Sequence, residues 1–299
     1  MILLTRRSHC CLDRKVGLTR LKYFFSSDSS SNTTHFGDRT VSYDEKKKLV
    51  GEVFSNVADK YDLMNDLMSG TLHRFWKDYF VEDLDPIAWP KHHCKIIDVA
   101  GGTGDISFRL AQKCQQRLLG MSPHTSTAKI TVCDINPQML NVGKKKTPNF
   151  GQNVSLEFLE GDAETLDALP DDEFDVYTIS FGIRNVPKID AALKAAFRVL
   201  KPGGRFTCME FSHITAGPVL EMAYNMYSDA IIPALGQAVV GDAASYRYLV
   251  ESIRKFPSQY EFERLIREAG FQYVRHQNLS LGIVAIHTGF KPLKINETN

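Results

Sequence analysis

Asp98-Val99-Ala100-Gly101-Gly102-Thr103-Gly104 joins a short apolar run to an amphipathic one. With no side chains at Gly101, Gly102 and Gly104, a ligand can approach the backbone, and the N–H groups that open the next helix point towards it. The loop is therefore a candidate cofactor cradle, and charge selects among cofactors. A dinucleotide fingerprint needs a third glycine where this chain has Ser107, and the Asp98 carboxylate would lie close to a pyrophosphate. S-adenosylmethionine carries an ammonium and a sulfonium but no phosphate, so an acid at this strand tip suits it by Coulomb sign. An NAD-dependent oxidoreductase on a similar sheet is the competing reading, disfavoured by Ser107. A catalytically silent scaffold subunit is another, disfavoured because Asp98, Gly102, Gly104 and Asp134 keep an open cofactor loop intact.

Further polar residues fall at successive strand ends. Asp134 closes Val132-Cys133-Asp134, where a carboxylate can accept hydrogen bonds from ribose hydroxyls. Gly161-Asp162-Ala163 offers a short acid and adjacent backbone to an adenine edge, and Ser180 ends the next apolar run. Each acid alone reads as a turn or surface residue; their repetition at strand C-termini points to one crevice.

These ends must be carried by a sheet. Residues 95–100, 130–133, 154–159, 174–180 and 205–211 read as strands separated by helical segments such as Ile189, Ala192, Leu193, Ala196 and Leu200. That alternation predicts a doubly wound, mostly parallel α/β sheet with helices on both faces. Pro202-Gly203-Gly204 reads as a turn, and Ser258 with Glu261 as a capping box opening a helix that stops at Gly270. Two strands, near 272–277 and 283–290, close the chain. Before the first strand, Leu49, Val53, Phe54, Val57 and Tyr61 share one helical face, so one or two helices precede the sheet, over 41–85.

A chain of 299 residues, 43% hydrophobic and 24% charged, can bury a substantial core. Its net charge of +1 is uneven, because residues 1–27 hold six cations against Asp13 alone. The remainder is net acidic and offers no bulk positive field to nucleic acid. Six cysteines without paired spacing imply a reduced compartment and no structural zinc. No apolar run reaches membrane-spanning length. Residues 1–27, rich in arginine and followed by serines, have the composition of an organellar transit peptide, an untargeted disordered tail being the alternative; residues 28–40 read as a disordered linker, and 41–299 as one catalytic domain.

The order Asp98-x-Ala100-x-Gly102-x-Gly104, then Asp134, then Asp162-Ala163 resembles class I S-adenosylmethionine-dependent methyltransferases, with Ala100 replacing the first glycine. The segment 61–76, from Tyr61-Asp62-Leu63-Met64-Asn65 through His73 and Trp76, narrows the match. So do Phe181-Gly182-Ile183-Arg184-Asn185-Val186, Arg198 to Gly204 with Glu210-Phe211-Ser212, and Ser245-Tyr246-Arg247-Tyr248-Leu249. Together they resemble the ubiquinone/menaquinone biosynthesis C-methyltransferases over about residues 46–291. The resemblance implies a seven-stranded Rossmann-like fold, S-adenosylmethionine contacts at Thr103, Asp134, Asp162, Ala163 and Ser180, and methylation of a ring carbon of 2-methoxy-6-polyprenyl-1,4-benzoquinol. It also implies peripheral contact with the matrix side of the mitochondrial inner membrane, and coenzyme Q biosynthetic proteins or a second copy of the chain as partners.

Methylating a quinol carbon needs the acceptor held close to the methyl donor and its phenolic proton lost, without a metal or covalent intermediate. Arg184 is expected to stabilise the quinolate and Asn185 to orient it, Arg184 being too basic to act as the base. Tyr61 could bond the quinol oxygen, and His73, Asp62 and His213 are alternative proton acceptors. Val219, Met222, Ala223, Met226, Tyr227 and Ala230 form an apolar stripe suited either to helix packing or to the polyprenyl tail.

Overall fold

The computed structural model describes residues 33–57, 65–66, 69–85, 93–122, 126–241 and 243–294. The basic leader and Tyr61 lie outside the described residues. Seven strands form the main sheet: β3 (His93–Val99), β4 (Thr127–Asp134), β5 (Val154–Glu160), β6 (Phe174–Ser180), β7 (Leu200–Phe211), β8 (Gln272–Leu279) and β9 (Val284–Phe290). Their spatial order is β5-β4-β3-β6-β7-β9-β8. Strands β3 to β7 pair in parallel, whereas β9 runs antiparallel to both β7 and β8. The order reverses between β3 and β6, and at such a switch point the strand C-termini open a crevice.

Both faces of the sheet are covered, which is why β3 reads as a nearly continuous apolar run rather than an alternating one. Ile96 packs into a core with Trp76, Phe80, Leu110 and Ile130. Its neighbour Ile97 faces the opposite core, with Leu193, Ala196, Phe262 and Ile266. The first core is built on α2 (Leu72–Leu84) and α3 (Asp105–Arg117), the second on α5 (Ile189–Val199) and α8 (Gln259–Glu268). Helices α1 (Tyr43–Val57), α4 (Pro137–Lys146), α6 (Pro218–Val240) and α7 (Ala243–Lys255) complete the described set. The capping box forms as expected: Ser258 Oγ accepts from the Glu261 N–H, and the Ser258 N–H is bonded by the Glu261 carboxylate at 2.9 Å.

Two local expectations change. The segment read as linker up to residue 40 is partly ordered: β1 (Thr33–Phe36) and β2 (Arg39–Ser42) make an antiparallel hairpin whose turn uses Gly37 at φ +56°. Threonines flanking His35 and Phe36 suit a pleated ribbon, and Phe36 anchors it by stacking on Tyr248 with ring centroids 4.2 Å apart. Pro202-Gly203-Gly204 lies inside the span of β7, as a bulge at which pairing jumps from Phe174↔Leu200 to Val176↔Arg205.

Candidate active site

The glycine loop leaves β3 through Ala100, which is held at φ +51°, a conformation costing an L-residue roughly 1–2 kcal/mol. Across the crevice Phe181 is also left-handed, at φ +55°. The backbones meet there so closely that a Cβ on Gly182 would lie 2.5 Å from Ala100 Cβ. The Gly101 N–H donates to the Cys133 carbonyl at 3.0 Å, and a Cβ on Gly101 would fall 3.0 Å from the Asp98 carbonyl. Gly104, at φ +85°, then opens α3 with no side-chain cap. Three glycines are required here by close approach, by dihedral angle, or by both.

The crevice divides around this loop. Its larger half holds about 820 Å³ of empty space, solvent at the mouth included, within the range of small-molecule sites. Asp134, Asp162, Ala163, Ser180 and Asn185 line it from the strand ends, and Lys47, Val50, Gly51 and Phe54 of α1 line it from above. The smaller half, beneath the loop, is lined by Asp98, Thr103, Asp105 and Lys77 and shares Ala100, Gly102, Ser180 and Phe181 with the first.

Each strand-end acid is fixed by specific donors. Asp134 Oδ2 accepts from the Gly102 N–H and Oδ1 from the Asn136 N–H, both at 2.8 Å. Burial raises its pKa, opposed by those backbone donors. Asp98 accepts from Ser107 Oγ at 2.6 Å and from Thr178 Oγ1 at 2.9 Å. Burial pushes its carboxyl up to about 6 against these hydroxyls, with the Asp134 and Asp105 charges adding to the rise. Ser107, read above as a missing glycine, is thus the hydroxyl that seats Asp98. Asp162 Oδ1 accepts from the Glu164 N–H at 2.9 Å, and its other oxygen pairs with Lys47 Nζ.

Arg184 and Asn185 sit in a short 3₁₀ turn, Ile183–Asn185, after β6. Arg184, expected to stabilise the quinolate, has a carboxylate partner of its own. Arg184 is buried, and its Nη1 donates to Glu210 Oε1 at 2.9 Å and to the Phe181 carbonyl, while its Nε donates to Ser252 Oγ at 3.3 Å. Burial raises the pKa of Glu210 and the Arg184 guanidinium opposes that rise. Asn185 lines the larger cavity, and Tyr248 Oη donates to its Oδ1 at 2.9 Å, leaving its Nδ2 hydrogens without a partner among the described residues. Lys46 reaches the Val186 carbonyl at 3.4 Å, and burial pulls its pKa down to about 8.

The alternative proton acceptors stand apart. His73 pairs with Asp66 at 2.8 Å, and His213 bonds the Phe256 carbonyl at 2.8 Å; neither lines either half of the crevice. Asp62 lies outside the described residues. Of the apolar stripe on α6, Val219, Met222 and Met226 are solvent-exposed rather than core, Met226 to 68%. Sequence reading passed over Lys47, Lys77, Glu210 and Tyr248 as site residues. Only the Lys46-Lys47-Lys48 run at the start of a helix hinted at a charge needed on its inner face.

The residues present fit S-adenosylmethionine. Side chains at Gly101 and Gly182 would collide with Val132, Asp98 and Ala100, so the backbone alone forms the wall of the crevice there, and Ser180 Oγ, which lines both halves, is buried with no hydrogen-bond partner among the described residues. A doubly wound sheet with this order, a glycine turn after β3 and acids after β4 and β5 defines a class I S-adenosylmethionine-dependent methyltransferase. In agreement, the fold matches a solved S-adenosylmethionine-dependent methyltransferase of Thermotoga maritima at TM-score 0.51 and 19% identity, over 80% of this chain and 98% of that one.

The model of the ubiE/COQ5 methyltransferase family matches residues 40–291, and the chain belongs to that family. It is 53% identical over 266 residues to the ubiquinone/menaquinone biosynthesis C-methyltransferase UbiE of Nitrobacter hamburgensis, covering 88% of this chain and 99% of that one. It is also 47% identical to the mitochondrial 2-methoxy-6-polyprenyl-1,4-benzoquinol methylase of Mus musculus, over 89% of this chain and 86% of the mouse protein. The rice enzyme of the same name is 50% identical over 87% of this chain and 89% of its own length. The protein is an S-adenosylmethionine-dependent C-methyltransferase.

Proposed function

We propose that this enzyme methylates a ring carbon of 2-methoxy-6-polyprenyl-1,4-benzoquinol, giving the 5-methyl product on the path to ubiquinone. The observation that carries the reading is Asn185, whose Nδ2 donors are left for a ligand at the cavity shared by the glycine loop, Asp134 and Asp162. The cofactor supplies an electrophilic methyl when bound. Gly102, Thr103, Gly104, Asp134, Asp162, Ala163 and Ser180 hold it at the strand ends. Asp98 shapes the loop from beneath.

Asn185 orients the quinol oxygen through Nδ2 and is itself set by Tyr248. Arg184 acts through the turn: its guanidinium, paired with Glu210, fixes the Phe181 carbonyl and so the geometry of residues 181–185. Its field still favours the quinolate over the quinol, attenuated by Glu210. Tyr61 completes the acceptor side in this proposal. Phe54 and Val50 of α1 close the cavity wall and exclude water.

The substrate chemistry of the mouse and rice relatives, both named mitochondrial, and the basic leader support a mitochondrial location. Peripheral contact with the matrix side of the inner membrane, and with other coenzyme Q biosynthetic proteins or a second copy of this chain, belongs to the same proposal. The exposed apolar residues of α6 support such a contact surface. The deciding experiment incubates the purified chain with methyl-labelled S-adenosylmethionine and a short-chain methoxy-benzoquinol, and locates the label by mass spectrometry. Label on a ring carbon is expected; label on oxygen overturns the assignment.

A further inference from the structure

Lys46 of α1 is buried, 6% exposed, and its Nζ donates to the Arg184 carbonyl at 3.5 Å and to the Val186 carbonyl at 3.4 Å. Among the described residues no carboxylate lies within ion-pair distance of it. Glu164, the acid whose charge acts on it, is paired with Lys47 at 2.8 Å. A plain tie between helix and turn would be the simpler account. A desolvated ammonium without a counter-ion is, however, a costly tie, and an uncharged donor would join the two elements without burying a charge. What the ammonium adds is geometry: three hydrogens on one atom can hold two carbonyls at once. The two it holds belong to the residues on either side of Asn185.

The inner side of the same turn is fixed separately. The Asn185 N–H donates to the Gly182 carbonyl at 3.0 Å, and the Val186 N–H to the Ile183 carbonyl at 3.1 Å. The peptide group between residues 184 and 185 is therefore held at both ends, its N–H by Gly182 and its carbonyl by Lys46. We propose that Lys46 is a positioning residue for methyl transfer: by holding the carbonyls of Arg184 and Val186 it fixes the backbone of Asn185, and with it the direction in which the Nδ2 donors meet the acceptor. The inference rests on the reading above of Asn185 as the hydrogen-bond partner of the quinol oxygen. Tyr248 of α7 grips the same residue at its side-chain oxygen, so main chain and amide are set by different helices. Helix α1 also lines the larger cavity through Lys47, Val50, Gly51 and Phe54, so the helix that covers the crevice holds the acceptor turn as well. Burial pulls the Lys46 pKa down to about 8, opposed by the Glu164 charge and helped by that of Arg184, and the ammonium form prevails at neutral pH.

A double-mutant cycle on the full chain tests this, with a short-chain methoxy-benzoquinol as acceptor and calorimetry of S-adenosylhomocysteine as the control for the cofactor side. Lys46→Met is expected to lower kcat by about tenfold or more, the order of loss that a small misplacement causes. KM for S-adenosylmethionine and the affinity for S-adenosylhomocysteine should stay within about twofold of wild type. In an Asn185→Ala background the same change should lower kcat by less than about twofold, because the group it positions is gone. Should Lys46→Met fail to fold, Lys46→Gln, which keeps an uncharged donor on a shorter stem, enters the same cycle with the same expectations. Equal losses in the two backgrounds overturn the proposal, as does a single variant with wild-type kcat. So does a single variant that loses kcat and S-adenosylhomocysteine affinity together, the mark of a purely structural tie. A wild type that methylates no benzoquinol overturns the proposed function and this inference with it, whereas the other adverse outcomes unseat Lys46 alone.

Discussion

Lys47 Nζ lies 2.7 Å from Asp162 Oδ2 and 2.8 Å from Glu164 Oε2, so a single α1 side chain clasps the loop that follows β5. A second tie joins Asn136 Nδ2 to Ser55 Oγ at 3.0 Å, after β4. Helix α1 is thus fastened to both loops that would hold a nucleoside. The Lys47 pairs are part-exposed, and Lys47→Met is expected to cost no more than about 1 kcal/mol of stability. It should instead speed amide hydrogen exchange across residues 43–57. Exchange in α1 identical to wild type would refute the clasp.

Gly182 and Ala100 offer a steric test. Gly182→Ala places its methyl 2.5 Å from Ala100 Cβ and is expected to destabilise by about 1–3 kcal/mol. Ala100→Gly removes the opposing methyl and the left-handed strain together. Thermal denaturation of the double variant should therefore recover most of the loss; additive effects would contradict the close approach.

Asp98 imposes a pH dependence. Its carboxyl titrates at about 6 in the fold, against an ordinary 3.8. The folded state thus binds the proton more tightly, and stability declines as pH rises from about 4 to about 6. Above that window the penalty is on the order of 3 kcal/mol. Asp98→Asn should flatten the fall in Tm between pH 4 and pH 7, and an unchanged slope would show that another group titrates there.

Arg184 and Glu210 are expected to couple strongly. Glu210→Gln leaves a buried guanidinium without its counter-charge, at a cost of about 3–5 kcal/mol. Glu210→Gln combined with Arg184→Met should cost clearly less than the two single changes added together in urea denaturation. Methyl transfer should fall in both single variants, because each releases the turn that carries Asn185.

Met226→Glu addresses the exposed face of α6. Little change in Tm is expected at so open a site. Turnover of long-tailed quinol presented in vesicles should drop while turnover of a short-tailed analogue in solution holds. Equal loss on both would move the effect into the active site.

Much of this architecture was legible from local rules. Glycine at 101, 102 and 104, the acids at 98, 134 and 162, and the capping box of Ser258 and Glu261 each follow from geometry that a few adjacent residues dictate. What escaped depends on partners far away in sequence. Glu210 meets Arg184 only because β6 and β7 are neighbours, and Lys77 meets Asp105 only because α2 crosses α3. Hence the counter-ion of Arg184 has no signature in the adjacent chain, and the fold supplies it as the buried Glu210 rather than as a surface carboxylate. The hairpin of β1 and β2 was missed for a related reason: four-residue strands carry a weak periodic signal, and the ring that secures them, Tyr248, lies more than two hundred residues downstream.

That ring has one more bearing on the molecule's life. Phe36 stacks on Tyr248, and Tyr248 in turn steadies Asn185. Shortening the chain from its N-terminus therefore has a limit: a truncation that reaches the hairpin would strip away the aromatic brace behind the Asn185 amide.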